Sequence, residues 1–152
     1  MTMLPVIVIL CALCGFLLAL FIHIKKKLSA PIVCPIGHSC DPVVHSDYSR
    51  FLGIPVEILG MVYYFLILLH YSLFSIFPAP GANELGFVFI GVSALAFLFS
   101  LYLTAVQAFI LKEWCTWCLI SAALCAFIFF AGLELSGVDW SLFLASFLSA
   151  KS

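Results

Sequence analysis

Charge is scarce in this sequence. Lys, Arg, Asp and Glu together make up 9% of its 152 residues, where soluble domains carry about a quarter, and this argues against a soluble globular protein. A formal net charge of −1 supplies no basic surface for nucleic acid. Sixteen Phe and an apolar content of 66% do not belong to a disordered segment. Lys, Arg, Asp and Glu are also missing from the interiors of the apolar runs: Glu57 stands at the entrance of one and Glu134 at the end of another. Transporters and channels need buried ionisable residues along their paths, so neither class is supported. Internal repeats and low-complexity stretches are absent as well. What the chain has instead is uninterrupted apolar length, with a mean hydropathy of +1.30.

A membrane-crossing helix needs about 20 mostly apolar residues. Leu4 to Ile24 is such a run, uncharged and closed by Lys25-Lys26-Lys27. It has the look of a signal peptide, but there the basic cluster would precede the apolar core. A second run extends over Pro55–Phe77, entered through Gly53-Ile54-Pro55. Proline suits a first helical turn, where its missing N–H costs nothing, and Glu57 suits the positive end of the helix dipole. Phe77-Pro78-Ala79-Pro80-Gly81 ends this run, as breaker clusters do. The third run is Leu85–Leu111, before Lys112-Glu113, and the fourth is Cys115–Leu135. Val138–Ala150 is apolar but too short to span, which predicts an interfacial helix or a frayed tail. The expectation is an all-α integral membrane protein, a four-transmembrane-helix bundle forming one domain over residues 1–152.

Four spans put both termini on one side and the 25–54 and 112–114 connections on the other. Lys25, Lys26, Lys27, Arg50 and Lys112 lie with the connections, and Lys151 lies with the termini. The positive-inside bias therefore places the connections in the cytoplasm of a multi-pass plasma membrane protein.

The seven cysteines are unevenly placed. Cys34 and Cys40 bracket Pro35-Ile36-Gly37-His38-Ser39 in the first connection, and Cys115-Thr116-Trp117-Cys118 opens the fourth span. The topology brings all four to one membrane face. A Cys-x-x-Cys pair can close a small ring, and the positive end of a helix dipole stabilises a thiolate there. A free thiol with a pKa of about 8.5 is only slightly ionised at neutral pH, so this raises the attacking species. Lys112 acts in the same direction. Cys118 lies one turn deeper, nearer the hydrocarbon from which an apolar oxidant would arrive. A loop pair beside a membrane pair is the layout of a stepwise thiol–disulfide relay. Two other readings stand beside it: a structural loop disulfide with two unrelated buried thiols, and a four-cysteine zinc site in a membrane scaffold without redox turnover. Cys11, Cys14 and Cys125 read as small apolar packing residues.

Four spans, a loop cysteine pair before the second and a Cys-x-x-Cys opening the fourth resemble the vitamin K epoxide reductase family, particularly its microbial homologues. The stretch Tyr48-Ser49-Arg50-Phe51-Leu52-Gly53-Ile54-Pro55, continuing to Gly60, is similar to that family's entry into its second span. The resemblance covers residues 4–135. DsbB-type disulfide oxidases have the two cysteine pairs in the opposite order. The resemblance implies a helical bundle capped by the first connection, and disulfide formation with a membrane quinone (menaquinone, ubiquinone or a relative) as electron acceptor. It also implies a thioredoxin-fold protein as electron donor. This sequence carries no thioredoxin-like domain, so a separate protein is the expected partner.

Carried over residue by residue, Cys34 faces the partner, Cys40 shuttles to Cys115, and Cys118 attacks or contacts the quinone. Vertebrate members of the family have an Asn and a Tyr as quinone hydrogen-bonders where this sequence has Val56 and Ala122, which argues against vitamin K epoxide as substrate. Glu57 and Ser121 are the candidate replacements, against helix capping for Glu57 and back-bonding within its own helix for Ser121. Trp114, Trp117 and Tyr48 are read either as stacking partners of the quinone or as interfacial belt aromatics. His38 and His45 read as solvated loop histidines, with thiolate stabilisation or proton relay as the sharper reading of His38; His23 and His70 read as interfacial residues near span ends. Ser46 and Asp47 are expected to cap a short surface helix. The family's usual active face is exoplasmic, opposite to the side that the lysines indicate.

Overall fold

In the computed structural model, residues 3–35, 41–78, 82–137 and 140–150 are described. Four helices are long and apolar enough to cross a membrane: α1 (Leu4–Lys27), α3 (Val56–Ile76), α4 (Ala82–Ala105) and α5 (Thr116–Leu135). A π-helical segment, Val106–Leu111, prolongs α4. Between α1 and α3 lie a one-turn helix α2 (Asp41–Val44), a 3-10 turn (Asp47–Ser49) and two short strands, β1 (Arg50–Phe51) and β2 (Ile54–Pro55). The chain closes with α6 (Trp140–Ser149), whose ten residues are half a spanning length.

Each boundary has a local cause. Pro55 is the N-cap of α3, with ψ at 135°, and not its first helical residue, because it still pairs with Arg50 at the end of β2. Leu52 and Gly53 join β1 to β2 with φ of 53° and 83°, and two consecutive positive φ values make the tight turn that matches strand twist. Lys112 ends the third span by turning left-handed, at φ 52°. Ser46 does not cap the 3-10 turn with its side chain; its hydroxyl donates to the Val43 carbonyl at 2.8 Å, which closes the preceding turn instead.

Lipid is as apolar as a leucine side chain, so membrane helices associate through close packing and hydrogen bonds between helices. The buried stripe of α1 is Val8, Ala12, Gly15, Ala19 and Ile22, a row of mostly small residues that lets α3 and α5 approach. A Cβ on Gly15 would overlap the Tyr64 ring of α3. Tyr64 donates to the Ser121 carbonyl at 2.9 Å and lies 3.2 Å from the Cys125 sulfur, tying α3 to α5. Tyr63 donates to the Ser93 hydroxyl at 3.2 Å, tying α3 to α4. Cys125 thus belongs to the central core with Ile67, Ile128 and Ala131. Cys11 is half-buried and Cys14 exposed on the outer side of α1. At the far end His70 stacks on Phe89 with ring centres 4.0 Å apart.

Residues 30–35 and 41–49 fold over the end of the bundle where α1 finishes and α5 begins. Ile32, Cys34, Val43 and Val44 bury themselves there with Ile22 and Cys115. The Ile32 amide donates to Asp41 Oδ1 at 2.9 Å, and the Trp117 indole N–H donates to the Val33 carbonyl at 3.2 Å. The first connection is therefore a cap on the bundle.

Candidate active site

Beneath this cap is a cavity of about 230 Å³ reached by side chains of α1, α3, α4, α5 and the cap itself. Its wall is largely apolar, and the polar groups that reach it include Glu57, Gln107, Ser121 and Cys118. A mostly apolar hollow with a few convergent polar groups is the usual form of a site for a small planar ligand.

The two cysteines of Cys115-Thr116-Trp117-Cys118 occupy different places. Cys115 is the N-cap of α5 and has no exposed surface; it packs against the cap. Cys118 is half-buried and lines the cavity. Both are free thiols. The hydrogen bond from Cys118 pulls the Cys115 thiol below its ordinary range; burial opposes this, and the N–H groups of Cys118 and Trp117 add to it. These two N–H groups are the unpaired donors that every helix start offers, so the dipole argument made from sequence takes the form of specific hydrogen bonds.

Cys34 is disulfide-bonded and 5% exposed, in the same apolar cluster as Cys115. Ile32, Val43 and Val44 cover it, so in this conformation it does not present a sulfur to an outside protein. Cys40 and His38 lie outside the described residues.

Of the other residues singled out in the sequence, Val56, Glu57, Ser121, Ala122 and Tyr48 all line the cavity. Trp114 and Trp117 are not among its lining residues. Trp114 is 43% exposed, and Trp117 packs on Phe21 with ring centres 5.4 Å apart, holding the cap from outside. Glu57 is more than a dipole partner: its carboxylate lies 3.2 Å from Lys26 Nζ and 3.7 Å from His23 Nδ1. His23 is thus drawn into a polar cluster. The Ser121 hydroxyl is 2.9 Å from the Tyr64 hydroxyl, bonded across to α3.

Three contributors escape a reading of the sequence: Lys26, Tyr64 and Gln107. Gln107 is 3% exposed, and its side-chain oxygen accepts the Cys115 N–H at 3.3 Å. A lone amide in an otherwise apolar span was the available signal. The π-helical stretch that carries it adds a residue to the turn, a distortion that recurs at functional sites. Among the described residues, no three His, Cys, Asp or Glu side chains stand together as metal ligands.

A comparison with curated proteins finds no match. The vitamin K epoxide reductase family, in contrast, matches over residues 6–133. That range holds nearly all of the four spans, the cap and both cysteine pairs. The chain belongs to the vitamin K epoxide reductase family and is a membrane thiol oxidoreductase.

Proposed function

We propose that this protein oxidises a thioredoxin-fold partner and passes the two electrons to a membrane quinone, so driving protein disulfide formation. The observation that carries the reading is the division of the Cys-x-x-Cys pair: Cys118 on the cavity wall, Cys115 buried against the segment that holds Cys34. One sulfur is placed for the ligand of the cavity and the other for the loop.

The residues act in sequence. Cys34 takes the partner's electrons by thiol–disulfide exchange, which requires the covering Val43–Val44 segment to move aside. Cys40, once reduced, attacks the Cys115–Cys118 disulfide at Cys115, and Cys118 leaves as the other sulfur of that bond. Cys118 faces the acceptor. The cavity suits a quinone ring: apolar side chains such as Val56 and Ala122 form walls, and Glu57, Ser121 and Gln107 are polar groups at its edge. A quinone bound there would accept two electrons and two protons. Among the described sulfurs that of Cys34 is already in a disulfide, which speaks for the relay over four zinc-bound thiolates. The side of action is the cytoplasmic one, on the grounds of Lys25–Lys27, Arg50 and Lys112.

The test is quinone absorbance in detergent, with purified protein, menaquinone or ubiquinone and a reduced thioredoxin-like donor. Catalytic loss of oxidised quinone is expected, abolished in Cys118→Ala. Cys40→Ala should stop transfer from the protein donor but spare reduction by a small dithiol. Full activity of Cys40→Ala with the protein donor would overturn the relay order, and one zinc per chain bound to all four thiols would overturn the relay itself. Labelling of substituted Lys25–Lys27 positions from one side tests the orientation.

A further inference from the structure

A buried ionic cluster adjoins the cavity and has no part in the electron path. Glu57, in the first turn of α3, has a side chain 6% exposed and lines the cavity. Lys26 Nζ lies 3.2 Å from Oε1 and donates to Oε2 at 3.4 Å and to the Ser49 hydroxyl at 3.1 Å. His23, one turn before Lys26 on α1, places Nδ1 3.7 Å from Glu57 Oε1. Both of these atoms are buried and neither makes a hydrogen bond. Glu57 Oε1 is ion-paired with Lys26, whereas His23 Nδ1 is left without a hydrogen bond, and burying such a group unsatisfied carries a cost. The exposures differ in a useful way: the His23 side chain is 32% exposed and the Glu57 side chain 6%. His23 stands next to the Lys25-Lys26-Lys27 end of α1, and Glu57 reaches the cavity.

Resting on the quinone reading above, we propose that His23 and Glu57 form a two-residue proton relay from water to the cavity, with Lys26 fixing the Glu57 carboxylate. The balance of the reaction calls for such a path. Starting from a Cys115 thiolate and a Cys118 thiol, the pair gives up two electrons and forms one S–S bond, while two O–H bonds form on the quinone. Cys118 supplies one proton as its S–H bond breaks. The other comes from water, entering at His23 and handed on by Glu57, which returns to its starting state. The titratable and charged groups facing Glu57 are His23 and Lys26 from α1 and Cys118 from α5; the cap contributes the Ser49 hydroxyl through Lys26.

The test uses the whole protein in detergent with two readouts. In quinone-free protein, the infrared difference between the disulfide and dithiol states of Cys115–Cys118 should contain a carboxyl signal that Glu57→Gln removes. D2O should shift this signal, more slowly in His23→Gln. In single-turnover oxidation of the reduced protein by a short-chain quinone, Glu57→Gln should lower the rate about 10²-fold or more, and Glu57→Asp should recover part of it. His23→Gln should lower the same rate. Should Glu57→Gln fail to fold, His23→Gln at the part-exposed end carries the test. A wild-type rate in Glu57→Gln, or in a folded His23→Gln, overturns the relay alone, as does a carboxyl signal that survives Glu57→Gln. A wild-type protein that reduces no quinone overturns the functional reading beneath it.

Discussion

The backbone N–H of Cys115 is hydrogen-bonded to the side-chain oxygen of Gln107 across 3.3 Å. This bond ties the first cysteine of the Cys-x-x-Cys to the π-helical end of the third span. It also gives a partner to one of the backbone donors exposed where α5 begins, at a point shielded from water.

Gln107→Leu leaves that buried N–H without an acceptor, a loss of about 1–3 kcal/mol. A lower melting temperature in detergent is expected, together with slower reduction of quinone because Cys115 is no longer held. Gln107→Glu retains the acceptor oxygen and should lose less stability. Equal melting temperatures for wild type and Gln107→Leu would show that the bond contributes nothing.

The Cys115 thiol is held below its ordinary range chiefly by the Cys118 hydrogen bond. Its alkylation rate in reduced protein should therefore rise with pH to a midpoint below that of a free thiol, about 8.5. Cys118→Ala should move this midpoint upwards. Because the folded pKa is depressed, the linked stability is fully present above the unfolded-state pKa and is lost as pH falls through the folded one. A midpoint unchanged by Cys118→Ala would count against the hydrogen bond as the cause.

Gly15 lets α1 approach α3, since a Cβ there would overlap the Tyr64 ring. Gly15→Ala should cost about 1–3 kcal/mol through overpacking. It should also disturb the Tyr64 bonds to Ser121 and Cys125 on the cavity side. The measurement is thermal unfolding of Gly15→Ala beside Gly60→Ala, whose added Cβ would meet only Ala19 at 3.7 Å. Comparable losses in the two variants would contradict this account.

Trp117 holds the cap through its N–H to the Val33 carbonyl. Trp117→Phe keeps an aromatic ring near Phe21 but removes a bond with a net contribution of about 0.5–1.5 kcal/mol. Cys115 should then be alkylated several-fold faster as the cap opens more often. An unchanged rate would mean that the cap is held by its apolar contacts alone.

The four spans were legible because lipid admits only helices of a set apolar length, and such runs are visible without any tertiary information. Their ends differ by one to three residues from those expected, as at Val56, where Pro55 is the N-cap, and at Ala82. The cysteines were legible for a similar reason. Topology alone carries the first connection and the start of the fourth span to the same face, and Cys-x-x-Cys at a helix start has one local geometry. Val56, Glu57, Ser121 and Ala122, which were singled out through the family resemblance, line the cavity.

Other features had no local signal. Lys26 and Glu57 are 31 residues apart and Tyr64 and Ser121 are 57 apart, so their pairing exists only once helices pack. Trp114 and Trp117 were ambiguous because an indole at a membrane interface and an indole in a ligand pocket have the same neighbours in sequence. Composition and spacing by themselves determined the membrane class, the span count and the approach of Cys34 to Cys115, since these follow from lipid thickness and chain connectivity. Packing decided which sulfur faces the cavity, which polar groups stand beside it and which aromatic residues hold the cap, because those depend on the rotation of each helix against its neighbours.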